Sequence, residues 1–135
     1  MSEGDVVGLV GPLGSGKTTF AQGIATGLGV PAERHVASPT FALMNEHAGR
    51  VTFVHADLYR IDHAVELAEL GLDDAYARAA CAIEWLDRFP EAAPADHLEI
   101  TFTPGPQGRR LALRATGPRG RVLAAAFRKA ACPGS

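Results

Sequence analysis

The sequence predicts an α/β fold: one domain on a mixed parallel and antiparallel sheet with flanking helices. Three observations carry that expectation. An apolar run, Val6 to Val10, reads as a buried strand and passes directly into the glycine-rich stretch "GPLGSGK". Residues 17–28 then read as a helix, closed by Gly29 and Pro31. Further short strand patterns follow, some ending in acids, and strand, loop, helix, then more strands is the order of an α/β sheet protein.

The remaining elements follow in order. Residues 40–47 and 51–59 flank "HAGR" as a hairpin. Asp62 stands where the N-cap of a helix to Leu70 belongs, Gly71 stops that helix, and another helical piece runs from Asp73 to about Arg78. "ACAIEW", residues 80–85, reads as a short buried strand ending in an acid. Residues 97–103 and 109–116 form a second hairpin around "PGPQG". "GRVLAAAFRKAA" suits either a helix or a final strand, and residues 117–135 read as a basic tail.

Composition narrows the class. A chain of 135 residues makes one domain with a real core and no room for a second. With 47% hydrophobic and 21% charged residues it has an ordinary globular balance. No apolar run approaches the roughly 20 residues of a membrane span, and no signal peptide opens the chain. Cys81 and Cys132 have no metal-like spacing and read as reduced thiols, so the cytoplasm is the expected location. Charge is unevenly spread. Residues 1–99 hold 15 acidic and 6 basic residues, a net of −9, whereas residues 100–135 hold 7 basic residues and no acid, a net of +7. Either an anionic partner, nucleic acid or an acidic protein surface, meets the basic end, or a solvated arginine face balances an acidic body.

The glycine-rich stretch is the most specific signal. Gly11, Gly16, Lys17 and Thr18 fit the phosphate-binding loop G-x-x-x-x-G-K-[ST]. Glycines let successive N–H groups turn inward as a nest around phosphate oxygens, with no Cβ atoms in the way. A helix starting at about Lys17 points its unpaired N–H groups and positive dipole end at the same oxygens. The lysine is informative too: 11 of the 13 basic residues are arginine, and only Lys17 and Lys129 are not. A compact ammonium on a flexible stem differs physically from a planar guanidinium fork. Lys17 is expected on the β- and γ-phosphates of a nucleotide, and the Thr18 hydroxyl on Mg²⁺.

Acids at strand ends are the next candidates, because ligands of α/β sheets sit outside the carboxyl ends of the strands. Glu84 either plays the Walker-B part beside Mg²⁺ or is a surface glutamate after a strand. Trp85 is either a core aromatic or a neighbour of the ligand. "FVHADLYR" puts His55, Asp57 and Tyr59 on one strand face. Asp57 there either orients an attacking water, directly or through the metal shell, or belongs to a solvated hairpin face. In "SPTF", Ser38 to Phe41, Pro39 fixes an extended chain. The Thr40 hydroxyl then lies where switch-type loops meet a γ-phosphate and Mg²⁺, unless Ser-Pro marks an ordinary turn.

Together, "GPLGSGKTTF", "SPTFALMNEH", "HADLYR", "ELAELGLDDAY" and "AIEW", in that order over roughly residues 4–90, resemble the TsaE family. Its members are small bacterial ATPases of the tRNA threonylcarbamoyladenosine pathway. The resemblance implies that Leu13, Gly14, Ser15, Gly16, Lys17, Thr18 and Thr19 cradle the phosphates of ATP. It implies Thr18 and Glu84 on Mg²⁺, Asp57 in hydrolysis with Lys17 and Glu84, and Trp85 near the nucleotide. It also implies a TsaB–TsaD heterodimer as partner, with tRNA reached indirectly because TsaD carries the transfer chemistry. Family members usually carry a further strand and helix ahead of the loop strand, whereas this chain starts at the turn "EGDVV", so that first unit is expected to be missing.

Two other classes compete. A small-molecule kinase also pairs this loop with acids at strand ends, but needs a mid-chain arginine lid, and the arginines here gather near the C-terminus. A non-catalytic nucleotide-sensing scaffold would keep the loop without turnover. No N-K-x-D stretch occurs to read guanine, which argues against a GTPase.

Overall fold

The computed structural model describes residues 1–12, 14–31, 44–105 and 108–131. Among these residues six strands form one sheet: β1 (Val6–Val10), β2 (Met44–His47), β3 (Phe53–Asp57), β4 (Ala80–Glu84), β5 (His97–Gly105) and β6 (Gly108–Thr116). Among the described residues four α-helices accompany them: α1 (Lys17–Gly27), α2 (Ala64–Leu70), α3 (Leu72–Arg78) and α4 (Gly117–Ala131). Strand order is β2-β3-β4-β1-β5-β6. The inner four run parallel, while β2 and β6 close the edges antiparallel to β3 and β5.

The strand sequences explain this placement. β1 and β4 are short and apolar on both faces, which suits central strands covered above and below. Alternation divides the core in two. Val7, Leu9, Ala82, Leu98 and Ile100 pack under α1 and α4, through Ala21, Ile24, Ala25, Leu123 and Ala124. Val6, Val54, Cys81 and Ile83 face the other way, against Leu72, Ala75 and Leu86. Cys81 is a free thiol that burial pushes up to about 12, so it is chemically quiet.

Helix ends mostly obey local rules. α1 closes with Gly29 at φ +81°, and the Val30 and Gly29 N–H groups donate to the Ala25 and Thr26 carbonyls at 3.0 and 3.1 Å. That is the paired capping pattern a left-handed glycine permits. Gly71, also left-handed, separates α2 from α3. The start of α2 departs from expectation. His63, in extended conformation, is its N-cap, no side chain caps the helix, and Asp62 lies outside it. The ambiguous last stretch is α4, so residues 117–131 of the expected basic tail are a packed helix with Leu123 and Ala124 buried. Arg119 makes a two-pronged ion pair with Asp5, at 2.5 and 2.8 Å, which ties this helix to the chain just before β1. Among the described residues no helix is long and apolar enough to cross a membrane.

Candidate active site

The parallel strands deliver their carboxyl ends to one side of the sheet. Register pairs Asp57 on β3 with Glu84 on β4, and Glu84 with Leu9 on β1, so both acids stand beside the strand that feeds the glycine-rich loop. The loop enters α1 through Gly16 at φ +102°, a backbone conformation closed to most side chains. Gly14, Ser15, Gly16, Lys17, Thr18 and Thr19 then line a cavity of about 330 Å³ with Asp57, Glu84 and Trp85. A larger cavity, about 420 Å³, lies along α1 beside Phe20, Gly23, Gly27 and Phe127 and has no acid in its lining. Lys17, Asp57 and Glu84 therefore meet in the smaller one.

Within it, the Lys17 side chain is only 4% exposed. Its ammonium donates to the Gly11 carbonyl and, at 3.2 Å, to that of Pro12. It also lies 3.8 Å from the centre of the Trp85 ring, a cation–π contact. Burial lowers its pKa, opposed by the charges of Glu84, Asp57 and Asp87. Burial likewise raises the pKa of Asp57 and the Glu84 charge adds to this, while the Tyr59 N–H, His55 and Lys17 pull it back. The Thr18 hydroxyl lies 3.2 and 3.4 Å from the two Glu84 carboxylate oxygens. Ser15 Oγ is buried with no hydrogen-bond partner among the described residues.

Trp85 takes its place through the backbone. At φ +66° it is the one non-glycine residue among those described with positive φ, a strain of about 1–3 kcal/mol of the kind that collects at functional sites. Its ring meets Tyr59 at 5.1 Å, and Arg88 donates to the Tyr59 carbonyl. Tyr59 itself lies in the turn beyond β3, not on the strand as the alternation suggested. His55 and Asp57 do share a strand face, and His55 is fully buried, so that side of β3 is not a solvated surface.

Of the expected site residues, the structure brings Gly14 to Thr19, Asp57, Glu84 and Trp85 together. Leu13 and Thr40, with the rest of Ser38 to Phe41, lie outside the described residues. Sequence reasoning missed one partner. His55 Nε2 sits 2.5 Å from Glu84 Oε2, at the heart of the site. The only signal for it was its place two residues before Asp57 in an alternating strand.

The sequence model of the family described as threonylcarbamoyl adenosine biosynthesis protein TsaE matches residues 1–111. The chain belongs to the TsaE family. The tRNA threonylcarbamoyladenosine biosynthesis protein TsaE of Bacillus subtilis is 38% identical over 123 residues, which are 89% of this chain and 75% of that protein. TsaE of Treponema pallidum is 36% identical over 111 residues, 82% of this chain and 81% of the relative. The crystal structure of YdiB from Bacillus subtilis matches with a TM-score of 0.72 at 30% identity, over 95% of this chain and 79% of that one. TsaE membership and this likeness identify the sheet as a P-loop NTPase fold.

Proposed function

We propose that the chain is the ATP-binding and ATP-hydrolysing subunit of threonylcarbamoyladenosine synthesis on tRNA, dependent on Mg²⁺, driving turnover of a TsaB–TsaD pair. The observation that carries the reading is the convergence of the loop residues Gly14 to Thr19 with Asp57, Glu84 and Trp85 on a single cavity. The residues suit the ligands. A buried hydroxyl with no partner among the described residues, Ser15 Oγ, lines the cavity where phosphate oxygens would lie. A hydroxyl and a carboxylate side by side, Thr18 and Glu84, are the hard oxygen donors that magnesium shares with nucleotide phosphates. When bound, the ion supplies positive charge to the phosphate oxygens in the transition state.

The protein's own part follows from its geometry. Lys17 exchanges loop carbonyls for phosphate oxygens, and the amides around Gly16 and the start of α1 fix the anion's position. Glu84 and Thr18 hold the metal side of the site. Asp57, next to Glu84 in register, accepts a hydrogen bond from the attacking water and orients it in line with the bond to be broken. Trp85 borders the phosphate end of the cavity and limits access by solvent.

The test is ATPase activity of the purified chain, measured alone and with TsaB and TsaD. Mg²⁺-dependent hydrolysis that rises with the pair supports the reading. ATP binding without hydrolysis in either case would make the chain a nucleotide-sensing scaffold.

A further inference from the structure

We propose that His55 is a positioning residue, whose imidazole holds the Glu84 carboxylate in the orientation its metal-side role requires. The inference rests on the nucleotide-binding reading above and adds to it a residue that contacts neither nucleotide nor metal.

His55 occupies the middle of β3 and is 0% exposed. Its register partners are Ala82 on β4, a small residue that leaves room for a ring, and Asn45 on β2. The Phe53 ring stacks alongside at 6.5 Å. Such a slot would take a hydrocarbon side chain at no polar cost. The imidazole instead buries two nitrogens, and Nδ1 has no hydrogen-bond partner among the described residues. Leaving a buried polar atom unmet is destabilising, so packing does not explain the residue.

The other nitrogen does. Nε2 lies 2.5 Å from Glu84 Oε2. An ionised carboxylate only accepts, so the ring donates through Nε2–H. Glu84 is thereby gripped from two elements, by Thr18 at the start of α1 and by His55 from the neighbouring strand. A glutamate has three rotatable bonds, and Lys17 already feels its charge. Released from His55, the carboxylate has the Lys17 ammonium as a competing partner, and a Glu84–Lys17 pair would withdraw both groups from their ligands. Groups that orient a metal ligand in this way typically matter 10–100-fold, to order of magnitude, in metal affinity or activity.

The experiment compares two conservative variants. The amide nitrogen of glutamine reaches the position of Nε2, and that of asparagine reaches only the position of Nδ1. His55→Gln, His55→Asn and the wild type are titrated with a fluorescent ATP analogue, once with EDTA and once over a series of Mg²⁺ concentrations. The expected result is unchanged affinity in EDTA for all three and a near-normal Mg²⁺ response for His55→Gln. For His55→Asn, the Mg²⁺ concentration needed for half the gain in affinity should rise about 10–100-fold. Equal Mg²⁺ responses in the two variants, whether normal or impaired, overturn the proposal, as does failure of both to fold. Absence of nucleotide binding by the wild type would instead remove the functional reading on which it rests.

Discussion

Lys17 and Asp57 show what the site costs the fold. Each is partly withdrawn from water, and for each the leading effect of burial is to disfavour its charged form. Lys17→Ala should lower ATP affinity at least about tenfold, the scale of a lost charge-assisted hydrogen bond. Calorimetric titration showing unchanged affinity would detach the loop from nucleotide binding. Asp57→Asn separates two properties. Because the folded state raises the Asp57 pKa, its contribution to stability is fully present below the unfolded value near 3.8 and is lost as pH rises through the folded value. Asparagine stays neutral, so the variant should melt above the wild type at pH 7, and the gap should close below about pH 3.8. Its hydrolysis rate should nonetheless fall about 100-fold while ATP binding persists. A lower melting temperature together with lost binding would make Asp57 a folding residue.

At the scale of elements, what could be read from the sequence depended on how local the deciding contact is. β1, the loop and α1 are legible because apolar run, glycines and cap lie within about one helix of each other. The stop at Gly71 is legible because only one residue's backbone decides it. The cap expected at Asp62 falls at His63 instead, since the chain leaves its turn one residue later. Helix or strand for α4 was open because Leu123, Ala124 and Phe127 reveal their common face only once a sheet is there to receive it. His55 was invisible as a partner of Glu84 because strand pairing brings the two together across 29 residues of sequence. Arg119 and Asp5 are 114 residues apart, and their bridge is testable. Burial pushes the Asp5 pKa up, but Arg119 and the Ser2 N–H outweigh it and leave it lowered. That stabilisation is present above the unfolded value of 3.8 and is lost as pH falls through the lower folded value. Arg119→Met should therefore lower stability at pH 7, by about 1 kcal/mol because solvent screens the half-exposed guanidinium, and the difference from wild type should shrink in strong acid. Urea midpoints at both pH values measure it, and equal midpoints at neutral pH would mean that the bridge adds nothing.

Across the whole molecule, the sheet order sets chemistry and basic charge apart. Asp57 and Glu84 lie on β3 and β4, while exposed Arg110 and Arg114 lie on β6, at the opposite edge. Arg121, Arg128 and Lys129 add exposed charge on α4, and Arg119 is already paired with Asp5. Arginines along an edge strand also discourage pairing with another sheet, so this charge has a use even without a partner. If a protein such as the TsaB–TsaD pair docks here, Arg110→Ser with Arg114→Ser should slow association in a salt-dependent way and leave dissociation nearly unchanged. If tRNA docks, the double variant should flatten the dependence of log affinity on log salt by about 0.7–0.9 for each phosphate it ceases to neutralise. The proposed pairing with TsaB–TsaD makes the first outcome the expected one. Surface plasmon resonance at several salt concentrations distinguishes the two, and no change in either would leave a solvated edge.

Trp85 is the chain's sole tryptophan, and its ring rests on the Lys17 ammonium. All the indole emission of the protein thus originates at one spot, in contact with the cation that the phosphates would draw away. Withdrawal of that charge changes the electric field across the ring, and with it the colour and yield of its light. An unlabelled sample in a cuvette therefore carries its own optical gauge of the loop, able to follow Lys17 in real time without a reporter dye or a catalytic turnover.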